Sequence, residues 1–187
     1  MESLKNTQIP EAKLRTANTA FISALIFGFI SGAYLIITQF LSTSSIPPFV
    51  TGILNFILWC AKFFGCIWLM MAVMKRVVAI DPEATGKTTF HTGLTVSFFS
   101  AVFYAGIALL SMTIIFPDYF AAQMDSVMQI YGKMLDSNSL RALDQMMENL
   151  PQYTFFSNII YCTIYGTVLS AILSRRIPSR DPFADIK

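Results

Sequence analysis

FVTGILNFILWCAKFFGCIWLMMAVM, residues 49–74, is the stretch that decides how this chain is read. Lys62 is its sole charged residue. A helix rises ~1.5 Å per residue, so the stretch is about 39 Å long against a hydrocarbon core of ~30 Å. It can cross a bilayer with some tilt.

Three more stretches of the same kind lie outward from it: Asn18–Leu41, Gly93–Phe116 and Gln152–Ser174. All four are too long to be the short apolar region of a cleaved signal peptide. The first lacks a small-residue cleavage site and reads as a retained signal anchor. The whole composition agrees with this reading. The chain has 187 residues, about one domain, with 55% hydrophobic and only 13% charged side chains. Its mean hydropathy is +0.58. Soluble domains carry roughly 25% charge, so this chain cannot dress a water-facing surface. A bilayer removes that need, because the outside of a bundle can be as apolar as its core. The expected fold class is an all-α membrane protein, a single domain over residues 1–187 with four transmembrane helices.

The net charge of +2 is too small to suggest nucleic acid, and no basic run with interleaved aromatics appears. Cys60, Cys66 and Cys162 all lie in apolar runs. Their spacing fits neither a disulfide framework nor a zinc site, and they read as packing residues.

Basic residues in the flanks orient the spans. Lys5, Lys13 and Arg15 precede span one, and Lys75, Arg76 and Lys87 separate spans two and three. Arg175, Arg176, Arg180 and Lys187 follow span four. The connection Ser42–Pro48 carries no charge, and the long third connection has Lys133 and Arg141 against Asp118, Asp125, Asp136, Asp144 and Glu148. Ten basic residues against two is a positive-inside pattern, which predicts both termini in the cytoplasm (N-in/C-in).

The segment 118–150 is too polar to span and too periodic for a plain loop. Met124, Val127, Met128, Tyr131, Met134 and Leu135 recur at helical spacing. Asp136-Ser137-Asn138-Ser139 is a turn and N-cap signal, followed by a second stripe of Leu140, Leu143, Met146, Met147 and Leu150, ended by Pro151. The spacing predicts an amphipathic helical hairpin on the far side, lying against the membrane or over the bundle mouth; its apolar stripe suits either simple packing or a protein partner. Its acidic balance argues against adhesion to an anionic leaflet. The methionines invite a soft-metal reading, but no His or Cys accompanies them, so they read as apolar packing.

Association in lipid relies on close packing and interhelical hydrogen bonds. Ala24, Gly28 and Gly32 form such a stripe in span one, as do Gly93, Ser97, Ala101 and Ala105 in span three, and Cys162, Gly166 and Ser170 in span four. A stripe of this kind suits a homo-oligomer face or contact within one bundle. Three of them favour the bundle, since that is more than one dimer interface requires.

Lys62 is the unusual residue. It sits near the middle of span two, too deep for snorkelling, where a lysine costs ~2.5–3.5 kcal/mol to insert. It must face protein or water. Asn55 lies two turns earlier on its face, and Asn158, Tyr161 and Tyr165 share one face of span four. Together they define a candidate intramembrane polar site. The alternative is that these groups stitch helices together.

Two other features carry no chemistry. Ala84-Thr85-Gly86-Lys87-Thr88 imitates the tail of a phosphate-binding loop, but Asp81 stands where its first glycine belongs. His91 is the only histidine and sits at a membrane boundary. With no carboxylate pair placed for acid–base work, no catalytic residues, metal or cofactor are expected, and the chain does not read as an enzyme.

Gly28-Phe29-Ile30-Ser31-Gly32 in span one, Phe90 to Leu94 entering span three and Phe116-Pro117-Asp118 leaving it occur here in a recognisable order. A Met-rich amphipathic stretch follows, then a last span ending in basic residues and Asp181-Pro182-Phe183. In this order the chain resembles a bacterial four-span membrane family, domain of unknown function 4199 (DUF4199). The family usually reads Asp-Pro where this chain has Pro117-Asp118, and Lys62 matches nothing in its pattern. The resemblance implies a Gram-negative inner membrane, with the far-side segment in the periplasm and a partner among envelope proteins. The sequence thus favours a non-catalytic accessory component of an envelope process. The alternative is a small transporter or lipid-handling protein with its site around Lys62.

Overall fold

Within lipid a chain must satisfy its own backbone hydrogen bonds, so long apolar stretches become helices. A computed structural model describes residues 2–81, 84–132 and 136–177, with side chains from Lys13 onward except at Tyr131. Lys133, Met134, Leu135, Arg180, Asp181-Pro182-Phe183 and Lys187 lie outside the described residues, as do the side chains of Lys5 and Tyr131.

The elements are α1 (Glu2–Thr43), α2 (Pro48–Ile80), α3 (Gly86–Leu110), a π-helical turn (Ser111–Ile115), α4 (Pro117–Tyr131), α5 (Ser137–Glu148) and α6 (Leu150–Arg176). No strand occurs among the described residues. Four stretches are long and apolar enough to cross a membrane: Lys13–Thr43, Pro48–Ile80, Gly86–Ile115 and Leu150–Arg176.

These helices outrun the apolar stretches that predict them, because a helix continues into polar residues until a cap or proline stops it. Thr85 starts α3 with a capping box: the Thr88 N–H donates to Thr85 Oγ1 at 3.4 Å, and the Thr85 N–H donates to Thr88 Oγ1 at 3.3 Å. The sequence that imitated a phosphate loop is therefore a helix start. Pro151 belongs to the first turn of α6, where its missing N–H costs nothing, and α6 begins earlier than Gln152. Asp136 caps α5, accepting from the Ser139 N–H at 3.1 Å. Hydrogen bonding from the Ser139 side chain, and then from this N–H, holds its carboxyl below the usual range.

Helix α3 is the centre of the bundle. It packs along its length on α6 and α1, while α2 leans mainly on α1 and touches α6 little. Close approach depends on small residues. A Cβ at Gly28 would lie 2.6 Å from Phe103 Cβ, and one at Gly32 would strike Ile107. On the other side of α3, Gly93 faces Ser170 and Gly166 faces Ser97, each with no room for a Cβ. The two serines donate back to their own helices, Ser97 to the Gly93 carbonyl at 2.7 Å and Ser170 to the Gly166 carbonyl at 2.6 Å. Buried hydroxyls are thus satisfied without holding the helices apart. The glycine and serine stripes are occupied inside one chain, and Ala24, Ala101 and Ala105 are buried with them.

The four spans do not pack evenly along their length. Ala20, Ala24, Phe27, Met70, Val73, Met74, Val96 and Leu173 form one core near the α2–α3 connection. Toward the Pro48 end of α2 that core stops.

Candidate intramembrane site

One face of α2 repeats Trp59, Phe63, Cys66 and Met70 at helical spacing, with Lys62 among them. Met70 is buried, but from Pro48 to Leu69 no side chain of α2 is. The space left in front of this face is a cavity of about 370 Å³ bounded by all four spans.

Lys62 projects into it. Its Nζ lies 4.6 Å from the centre of the Tyr34 ring on α1 and 5.2 Å from that of Tyr104 on α3. Both distances suit cation–π attraction, which is strengthened where water is excluded. Among the described residues, Lys62 has no ion pair, and no carboxylate lines the cavity. Cys66 and Cys162 face the same space as free thiols.

The α2 and α6 walls of the cavity carry exposed aromatic rings. Trp59 is 51% exposed and Tyr161 71% exposed at this aromatic edge. Phe56, Trp59 and Phe63 stack along α2, with ring centres 6.3 and 5.4 Å apart, and Phe63 meets Tyr165 at 6.3 Å. These rings prop α2 away from α6 where glycines would have let the helices close.

Of the five residues anticipated for the polar site, Lys62, Tyr161 and Tyr165 line this cavity. Asn55 and Asn158 do not. Asn55 shares the helix face of Lys62 but lies two turns along it, about 10 Å. Its Oδ1 is buried with no hydrogen-bond partner among the described residues. Sequence reasoning passed over Tyr34 and Tyr104, whose rings make the cation–π contacts to the ammonium. The available signal was that each is the sole tyrosine of its span, a polar-tipped ring deep in an apolar helix.

A family model described as a protein of unknown function (DUF4199) matches residues 19–176. The chain belongs to the DUF4199 family. No curated protein and no solved structure matches it. The stretch matched to DUF4199 takes in nearly all of the four spans, and with them Tyr34 and the whole cavity wall, Lys62 and Tyr104 included.

Proposed function

We propose that this DUF4199 protein binds a small anionic, largely apolar molecule in the cavity around Lys62, as a lipid-handling protein or small transporter. The observation that carries the reading is a cation without an ion pair among the described residues, set against the rings of Tyr34 and Tyr104 in a space of about 370 Å³. Ligand sites commonly run from ~300 to ~1,000 Å³, mostly apolar with a few polar groups that fix orientation. A lysine serving only as glue would sit in a closed contact, whereas from Pro48 to Leu69 α2 has no fully buried residue. The ammonium supplies an attachment point for a carboxylate or phosphate, and the aromatic edge supplies the surface for its apolar body.

The test uses Trp59, which lines the cavity. In a Trp68→Phe background it is the only tryptophan. A brominated fatty acid should quench it saturably, and Lys62→Met in the same background should remove the saturable component. Equal saturable quenching in both proteins would falsify the reading.

Supporting the same proposal, the basic residues divide ten to two between the two sides. We read this as both termini in the cytoplasm and α4 and α5 on the far side, which is the periplasm in the bacterial inner membrane that the family resemblance implies. Cysteine placed at Ser137 should label with an impermeant thiol reagent in spheroplasts, and cysteine at Ser179 should not. The reverse pattern would overturn the orientation.

A second reading keeps one observation of its own. Ile130 on α4 is 63% exposed and Met146 on α5 is 53% exposed, so apolar side chains of segment 118–150 stand uncovered. An envelope protein seated there would make the chain an accessory subunit. A photo-crosslinker at Met146 in native membranes should then trap one discrete protein, and labelling of lipid alone would remove this reading.

A further inference from the structure

The Lys62 cavity is not isolated. Phe63, Tyr165 and Leu169 on its wall also line a groove of about 410 Å³ that runs down the seam between α2 and α6. That groove shares Met71, Leu173 and Arg176 with a further hollow of about 390 Å³, which Lys75 borders. The three spaces follow one another along the same pair of helices. Between the aromatic pair and the basic end the seam is apolar, formed by Ile67, Met71, Val168 and Ile172. Val168 and Ile172 are more than half exposed. Lys75 and Arg176 close its outer end, and among the described residues neither joins an ion pair.

We infer that this seam is a binding site for one anionic phospholipid of the leaflet on the Lys75 side. Its phosphate sits between Lys75 and Arg176, and one acyl chain lies along Ile67, Met71, Val168 and Ile172. The lengths agree. From Lys75 to Phe63 the helix rises about 18 Å. One leaflet's chains cover ~15 Å, half of a ~30 Å core, so the chain end comes within a helical turn of the Phe63–Tyr165 pair. The charges agree as well, since basic pockets between spans attract anionic headgroups. An apolar groove with two cations at its interfacial end has the charge pattern of a phospholipid site, with an anionic headgroup at one end and an acyl chain along the rest. The site stands apart from the Lys62 reading and survives if that reading fails. Where both hold, the bound chain ends beside the cavity wall.

Native mass spectrometry of the full chain, with phosphatidylglycerol and phosphatidylcholine of identical acyl chains, tests it. Two cations beside one headgroup predict that the wild type prefers phosphatidylglycerol roughly 30-fold. The Lys75→Gln/Arg176→Gln variant should bind the two lipids about equally. Arg76→Gln/Arg175→Gln removes the same charge from residues outside the seam and should keep the preference. Ile172→Trp fills the groove with the cations intact and should weaken both lipids. The inference is overturned by a wild type that does not discriminate. It is equally overturned if the control pair loses the preference as fully as the seam pair, or if Ile172→Trp retains lipid unchanged. Melting curves for each variant separate a lost site from a lost fold.

Discussion

Between Met70 and Val77, α2 buries Met70, Val73, Met74 and Val77 against its neighbours; between Pro48 and Leu69 it buries no side chain. Both halves are apolar, and in water both would be driven inward. In lipid no such force acts between helices, so only shape decides where they close. The packed half meets Ala20, Ala24, Val96 and Leu173, side chains small or regular enough to interlock. The open half carries Trp59 and Phe63 and meets Tyr165 of α6 ring to ring, which keeps α6 at a distance. A membrane bundle can therefore keep a cavity with no cost in exposed apolar surface, since lipid or a ligand fills what protein leaves.

Glycine substitutions give the largest expected effect on this comparison. Gly166→Leu drives a side chain into Ser97 at the tight α3–α6 contact, whereas Gly65 on the open half of α2 has no atom within 4 Å of a new Cβ. Overpacking costs ~1–3 kcal/mol or more, and a substitution at an uncrowded surface stays within ~0.5 kcal/mol. Thermal melts in detergent should show Gly166→Leu falling by many degrees and Gly65→Leu near wild type. Similar losses in both would mean that the open half is closed in solution.

A smaller effect is expected at Lys62. Removing the charge relieves an insertion cost of ~2.5–3.5 kcal/mol and gives up cation–π attraction of ~0.5–2 kcal/mol. Lys62→Met should therefore melt at or slightly above the wild-type temperature. A clear drop would make the lysine a fastener between α2 and the tyrosines of α1 and α3, and the open half a packed one of a different kind.

Much of the fold was legible because a bilayer imposes lengths. Four apolar stretches of membrane-crossing size, the Asp136 cap and the small-residue stripes follow from spacing within single segments. The candidate site was legible only in part, for the same reason. Helix periodicity says which residues of one helix share a face, which is why Asn55 was grouped with Lys62. It does not say which residue of another helix sits at the same depth. Tyr34 and Tyr104 meet Lys62 because α1 and α3 run parallel in a register that brings Gly28 to Phe103 and Gly32 to Ile107. Asn158 missed the cavity on the same account, lying a turn before Cys162 and Tyr161 on α6.

By itself the sequence determined that this chain has four helices long and apolar enough to cross a membrane, with an isolated lysine in the middle of the second. Those properties follow from hydropathy and rise per residue, which are local. Only the tertiary structure decided that α3 is the central helix, that α2 packs at one end alone, and that Lys62 faces two tyrosines across a cavity. These depend on contacts between side chains far apart in the chain. In lipid such contacts are selected by the fit of glycines, serines and aromatic rings rather than by hydrophobic pattern.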